Sequence, residues 1–113
     1  MTTLLPKDAD NNVIPALRLA DGGAHTLAVG AAPTRNNNAF KEDTKVISLY
    51  TTAPAYVKLG DQNVTATTTD HFFPAGTYYD IAITAGAGKS AQDMYLSVLR
   101  VTDDGTLFIS EKE

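Results

Sequence analysis

Apolar and polar residues alternate with a period of two in most runs between turn signals, the pattern of strands with one buried face. In residues 24–30, His25, Leu27 and Val29 alternate with Thr26 and Ala28. In residues 45–52, Ile47 and Leu49 alternate with Val46, Ser48 and Tyr50, and beyond Ala53-Pro54, Val57 and Leu59 oppose Tyr56 and Lys58. The simplest expectation for these two runs is a pair of antiparallel neighbours joined by a tight turn. Residues 64–69 are polar but β-branched, which predicts a short exposed edge strand. Next, Tyr79, Ile81 and Ile83 share one face while Tyr78, Asp80 and Ala82 share the other. Residues 94–101 and 106–111 flank Asp104-Gly105, a strong hairpin signal. The first of these runs is apolar on both faces, with Leu96 and Val98 or Tyr95 and Leu99 inward, and so predicts a central strand. In the second, Leu107 and Ile109 face in and Phe108 faces out.

Turn chemistry separates the runs: Gly22-Gly23, the Asn-rich residues 31–44, Gly60 to Asn63, Pro74 to Gly76, and the small-residue stretch 86–92. Residues 31–44 predict a long surface loop in which Phe40 tucks into the body of the domain. About seven or eight short strands result, an all-β chain forming a single antiparallel β-sandwich of jelly-roll or Ig-like type. Residues 55–83 are expected at the centre of its sheet. Residues 1–20 precede it as an extended N-terminal arm, and residues 21–113 form the sandwich domain. In the arm, Val13, Leu17 and Leu19 share a period-2 face interrupted by Pro15, which suits an edge strand or a segment laid on another surface. For residues 1–12 a frayed terminus is an equal alternative.

Composition narrows the function classes. A chain of 113 residues fits one domain, and without cysteine it has no disulfide framework, thiolate metal site or Cys nucleophile. Its net charge of -4 is spread out, with no basic run to neutralise a row of phosphates, so no nucleic-acid partner is expected. No segment approaches the roughly 18 apolar residues of a membrane helix, and no secretion signal is visible, so no membrane partner is expected.

Motifs that imitate chemistry fail on their mechanics. Gly88-Lys89-Ser90 resembles the end of a phosphate-binding loop, but Ile83 stands where its first glycine belongs and no helix is predicted to follow. Asp8, Asp10 and Asn12 begin like a calcium loop, yet Val13 replaces the turn glycine and Leu19 the bidentate glutamate. His25 and His71 are isolated imidazoles; Asp70 precedes His71, but no serine sits in a nucleophile elbow. Asp61, Asp70, Asp80 and Asp93 could meet as acid and base of a small hydrolase if a concave pocket held two of them, although each also suits a turn. Asn63-Val64-Thr65 matches a glycosylation sequon relevant only to a secreted eukaryotic chain. No catalytic, cofactor-binding or metal-binding residue is assigned, and a non-enzymatic protein is expected.

What remains is a surface. Tyr50, Tyr56, Tyr78 and Phe108 fall on strand faces opposite the aliphatic set, and aromatic side chains outside a core are enriched at interfaces. With Val13, Leu17 and Leu19 of the arm they form the candidate interface. Cover from loops and the arm over both sheet faces is the competing explanation. A carbohydrate-binding β-sandwich is the alternative function, with Tyr56 and Tyr78 stacking on sugar rings.

The run from Val46 to Ile83, followed by residues 94–113, resembles small β-rich virion proteins of tailed bacteriophages and gene transfer agents. The resemblance rests on the strand end Tyr56 to Asp61, on Asp70 before Phe73-Pro74-Ala75-Gly76, and on the closing Asp104-Gly105-Thr106-Leu107. It spans residues 44–113 and carries no catalytic motif. It implies a head-associated decoration, spike-base or connector protein, assembled in the bacterial cytoplasm. Such a protein would act as a homo-oligomer, a trimer or pentamer, on the major capsid protein or other virion proteins.

Overall fold

The computed structural model describes residues 9, 10, 12, 18–83 and 93–112. Eight strands follow in order: β1 Leu19–Val29, β2 Thr34–Arg35, β3 Val46–Thr51, β4 Ala55–Gly60, β5 His71–Phe73, β6 Tyr79–Ala82, β7 Tyr95–Arg100 and β8 Gly105–Lys112. They form two four-stranded antiparallel sheets, β1-β8-β3-β6 and β2-β7-β4-β5, packed as a β-sandwich. Pairs β1·β8, β2·β7, β3·β6 and β4·β5 are those of one long hairpin, and the additional pairs β3·β8 and β4·β7 roll it up. That winding is a jelly roll rather than an Ig-like sandwich.

The winding overturns both expected hairpins. β3 and β4 lie in different sheets, as do β7 and β8. Among the described residues, only β4 and β5 are consecutive strands paired with each other. Pro54 has no N–H to extend a ladder, and Thr51 Oγ1 turns the chain by donating to Ala53 O at 2.5 Å. The two crossovers brace each other: Thr52 N donates to Thr106 O at 2.9 Å, and Thr106 N donates to Thr52 Oγ1 at 2.8 Å. Gly105 serves this close approach, since a Cβ there would lie 2.7 Å from Ala53 Cβ. Its φ is not among the positive ones, so Asp104-Gly105 marks a sheet-to-sheet crossing instead of a hairpin turn.

Three smaller expectations are also corrected. Gly22-Gly23 does not end a strand; β1 continues through it with a register shift between Leu19 and Ala24, and Gly22 takes φ 70°. That bulge interrupts a long edge strand, which limits pairing with foreign chains. Residues 64–69 form no strand. Their loop folds over the outer face of the second sheet, where Ala66 N donates to Ser97 Oγ at 2.9 Å and both residues are buried. Finally, residues 55–83 do not form the centre of one sheet: β4 is internal, whereas β5 and β6 are edges of opposite sheets.

The inward faces follow the alternation. Leu27, Val29, Ile47, Leu49, Leu107 and Ile109 from one sheet meet Ala55, Val57, Leu96 and Val98 from the other. Phe40, 1% exposed, enters this core from the loop after β2, as its isolation in a polar stretch predicted. β7 lies between β2 and β4 with Leu96 and Val98 inward, the central position its composition required. Leu19 and Ala20, assigned to the arm, are the first residues of β1.

Candidate functional site

Strand register assembles the aromatic candidates into a row. Thr26 pairs with Phe108 and Phe108 with Tyr50. The Tyr78 ring centroid lies 4.7 Å from that of Tyr50, tilted by 41°. The row therefore crosses the outer face of the β1-β8-β3-β6 sheet, with Tyr78 73% and Phe108 45% exposed. Leu19, also largely exposed, pairs with Lys112 farther along the same strands.

Beside the aromatic row runs a polar one, in which Ser110, Ser48 and Asp80 are in register, with Ala24 at its β1 end. The Ser48 hydroxyl donates to Asp80 Oδ1, and Lys112 Nζ reaches the same oxygen at 3.1 Å. The Ser48 hydrogen bond first, and Lys112 second, hold the Asp80 carboxyl below its ordinary value of 3.8. It is ionised at neutral pH.

Tyr56 does not join this row. It lies in the other sheet, in register with Phe72 and Leu99, its ring centroid 6.3 Å from that of Phe72. The loop over Ser97 covers part of that outer face, on which Phe72 stays 55% exposed and Tyr56 half-buried, while Tyr78 and Phe108 are exposed on the first. Val13 and Leu17 lie outside the described residues, as do Gly88-Lys89-Ser90 and Asp8.

A cleft of about 480 Å³ opens between the edge strands β5 and β6. Val57, Leu59, Phe73 and Ile81 supply its apolar lining, and Asp70, His71 and Asp93 supply polar groups. Phe73 and Tyr79 meet edge to face across the gap between the sheets, with centroids 5.1 Å apart. His71 pairs with Val57 and so occupies an inward register position, yet it is exposed. Two of the four aspartates thus share one concavity, whereas Asp80 sits on the outer sheet face and Asp61 in a turn. Asp70 is engaged locally, its Oδ2 accepting from Thr67 N at 2.6 Å and Thr67 Oγ1 at 3.1 Å. Asp61 caps its own turn by accepting from Asn63 N at 2.9 Å. Among the described residues, no group of three or more His, Cys, Asp or Glu could hold a metal ion. No helix among them is long and apolar enough to cross a membrane.

Two buried polar side chains escaped the sequence reading. Glu111, 2% exposed, accepts from Lys41 N at 2.7 Å and Thr44 Oγ1 at 2.6 Å, and its Oε2 lies 2.7 Å from His25 Nε2. The signal was present: His25 precedes Leu27 by two positions and Glu111 follows Ile109 by two, so both occupy inward register. Asn36, 1% exposed, accepts from Leu96 N at 2.8 Å and donates to Asn38 O at 2.6 Å. Together they bind the long loop after β2 to β1, β7 and β8, and so act in the fold. Comparison with known protein families, curated proteins and solved structures returns no match for this chain.

Proposed function

We propose that this protein is a non-enzymatic structural protein of a virion, head-associated as a decoration, spike-base or connector component. In this reading it assembles in the bacterial cytoplasm as a homo-oligomer and binds the major capsid protein or other virion proteins. The observation that carries the reading is the row Phe108, Tyr50 and Tyr78 on one outer sheet face of a jelly roll, with Phe108 and Tyr78 exposed and Tyr50 half-buried between them. Large rings with a polar row beside them are suited to burial against another protein, and jelly rolls recur in capsid proteins. The fold alone does not assign a function, so the surface carries the argument.

The test is the mass of the full chain in solution and its presence on purified particles. A multimer found on heads is expected, and Tyr78→Ala with Phe108→Ala should weaken its assembly or its retention on heads by about tenfold or more without unfolding it. A strict monomer absent from heads would remove the proposal. The polar row beside the rings favours one second reading, carbohydrate binding, in which Asp80 and Ser48 fix hydroxyls while Tyr78 stacks on a sugar. Reproducible binding on a glycan array, lost in Tyr78→Ala, would select that reading.

A further inference from the structure

The outer face of the β1-β8-β3-β6 sheet has unequal edges. At the β6 edge the Tyr78 ring, 73% exposed, stands against Tyr50. At the β1 edge the outward positions are Ala24, Thr26 and Ala28, all short and all exposed. Register sets the two edges level: Thr26, Phe108, Tyr50 and Tyr78 share one row, and Ala24, Ser110, Ser48 and Asp80 share the next. The face is therefore high along one side and low along the other, with Phe108, 45% exposed, and half-buried Tyr50 between them.

That relief is complementary to itself. Consider a two-fold axis between two such faces, parallel to the strands and midway between β8 and β3. It lays the β6 edge of each copy over the β1 edge of the other. Tyr78 then enters the low ground at Thr26 of the second copy, and Phe108 meets Tyr50 of the second copy. Each contact occurs twice, and the four central rings lie where contacts dominate an interface. An unrelated partner would need a projecting ring and a depression at matching spacing, whereas a second copy has both by symmetry. Charge agrees with this choice. The chain carries a net charge of -4, so copies repel wherever acidic surfaces meet, but on this face Asp80 lies 3.1 Å from Lys112 and the two cancel. Four strands spaced about 4.8 Å apart, with eight residues of about 3.4 Å each along β8, give roughly 500 Å² per copy. The total of about 1,000 Å² meets the lower bound for a specific interface. We propose that this face is a two-fold interface between two copies of this chain. The inference deepens the proposed assembly, makes the dimer its unit, and rests on that reading for the existence of a homo-oligomer.

The chain contains no cysteine, so introduced thiols report without background. Ala24 and Asp80 end the same row, three strand spacings or about 14 Å apart, beyond the roughly 7 Å that a disulfide spans between Cα atoms. Within one chain they cannot join, whereas the two-fold axis sets Ala24 of each copy opposite Asp80 of the other. The full-length double variant Ala24→Cys, Asp80→Cys is oxidised mildly once its circular dichroism and thermal transition match a folded parent chain. In the control, Lys58→Cys, exposed on the outer face of the other sheet, replaces Asp80→Cys. The expected product is a covalent dimer with no free thiol, in about tenfold or greater excess over the control, because docking raises the local thiol concentration. Adding Tyr78→Ala should return the yield to that of the control. A yield equal to the control overturns the inference, and so does a ladder of covalent multimers, which marks a head-to-tail contact. If the double variant does not fold, sedimentation of the parent chain and of Thr26→Arg decides the same question. A dimer that the arginine weakens about tenfold or more supports the interface. A monomer, or a dimer indifferent to Thr26→Arg, overturns it. A chain bound to heads without this dimer keeps the proposed function and loses only the arrangement, while a dimer absent from heads keeps the arrangement and loses the function.

Discussion

His25 Nε2 and Glu111 Oε2 lie 2.7 Å apart, joining β1 to β8 beneath the long loop after β2. The other oxygen of Glu111 accepts from Lys41 N and Thr44 Oγ1, so the carboxylate ties β1 and the loop after β2 to β8. Glu111→Ala would leave the Lys41 N–H, the buried Thr44 hydroxyl and the His25 imidazole without this acceptor. The expected loss is about 3–5 kcal/mol, the range for breaking a buried charged network by removing one partner. Urea unfolding would measure it, and hydrogen exchange should show the Lys41 amide losing protection first. A loss below about 1 kcal/mol would mean that Phe40 and Asn36 hold the loop without Glu111.

Asn36 provides a second anchor for the same loop. Its Oδ1 accepts from Leu96 N, at the start of the inward run of the central strand β7. Asn36→Ala leaves that buried N–H unpaired and should cost about 1–3 kcal/mol, read as a lower urea midpoint with unchanged slope. Asn36→Asp retains an acceptor for Leu96 N but cannot donate to Asn38 O, so hydrogen exchange at Leu96 separates the two roles.

The inward faces were legible because they depend on alternation alone. Leu27, Ile47, Val57, Ile81 and Leu107 occupy the predicted sides, and in β7, where alternation allowed either face, Leu96 and Val98 are the inward pair. Sheet membership was not legible, because a strand followed by a short turn reads identically whether the next strand pairs beside it or crosses to the opposite sheet. Thr52 to Pro54 and Thr102 to Gly105 both cross, and what distinguishes them is contact between segments far apart in sequence. The aromatic row was half legible for the same reason. Alternation placed Tyr50, Tyr56, Tyr78 and Phe108 outward, but only strand register separates Tyr56 from the other three. Buried Glu111 was missed because a terminal Ser-Glu-Lys-Glu stretch reads as solvated charge unless the alternation is carried through it.

Gly105 tests the crossing directly. A Cβ there would lie 2.8 Å from Thr52 Oγ1 as well as 2.7 Å from Ala53 Cβ, and 3.0 Å from Ala53 N. All three atoms belong to Thr52 and Ala53 of the opposing crossover and cannot move without disturbing both turns. Gly105→Ala should therefore destabilise by about 1–3 kcal/mol, the usual cost of overpacking. If Asp104-Gly105 were an ordinary exposed hairpin turn, the thermal transition would move little. Gly105→Ala combined with Ala53→Gly should recover part of the loss, since the second change removes the nearest atom.

Asp80 links pH to the polar row beside the aromatic rings. Its carboxyl is held below 3.8 by the Ser48 hydroxyl and then by Lys112, both of which favour the charged form. A carboxyl depressed in the folded state contributes stability that is fully present above the unfolded-state value. The contribution disappears as pH falls through the lower folded-state value. At neutral pH, Asp80→Asn should thus be less stable than the parent chain. The difference is at most about 1 kcal/mol, because the Asp80 side chain is 62% exposed and solvent and salt screen it. Between pH 5 and 7 the gap should be constant. Below about pH 4 it should narrow toward zero, and added salt should narrow it at any pH. Urea midpoints of the two chains across this range provide the measurement. A gap that persists unchanged at pH 2.5 would assign the loss to altered packing against Ser48, with no charge on Asp80 contributing.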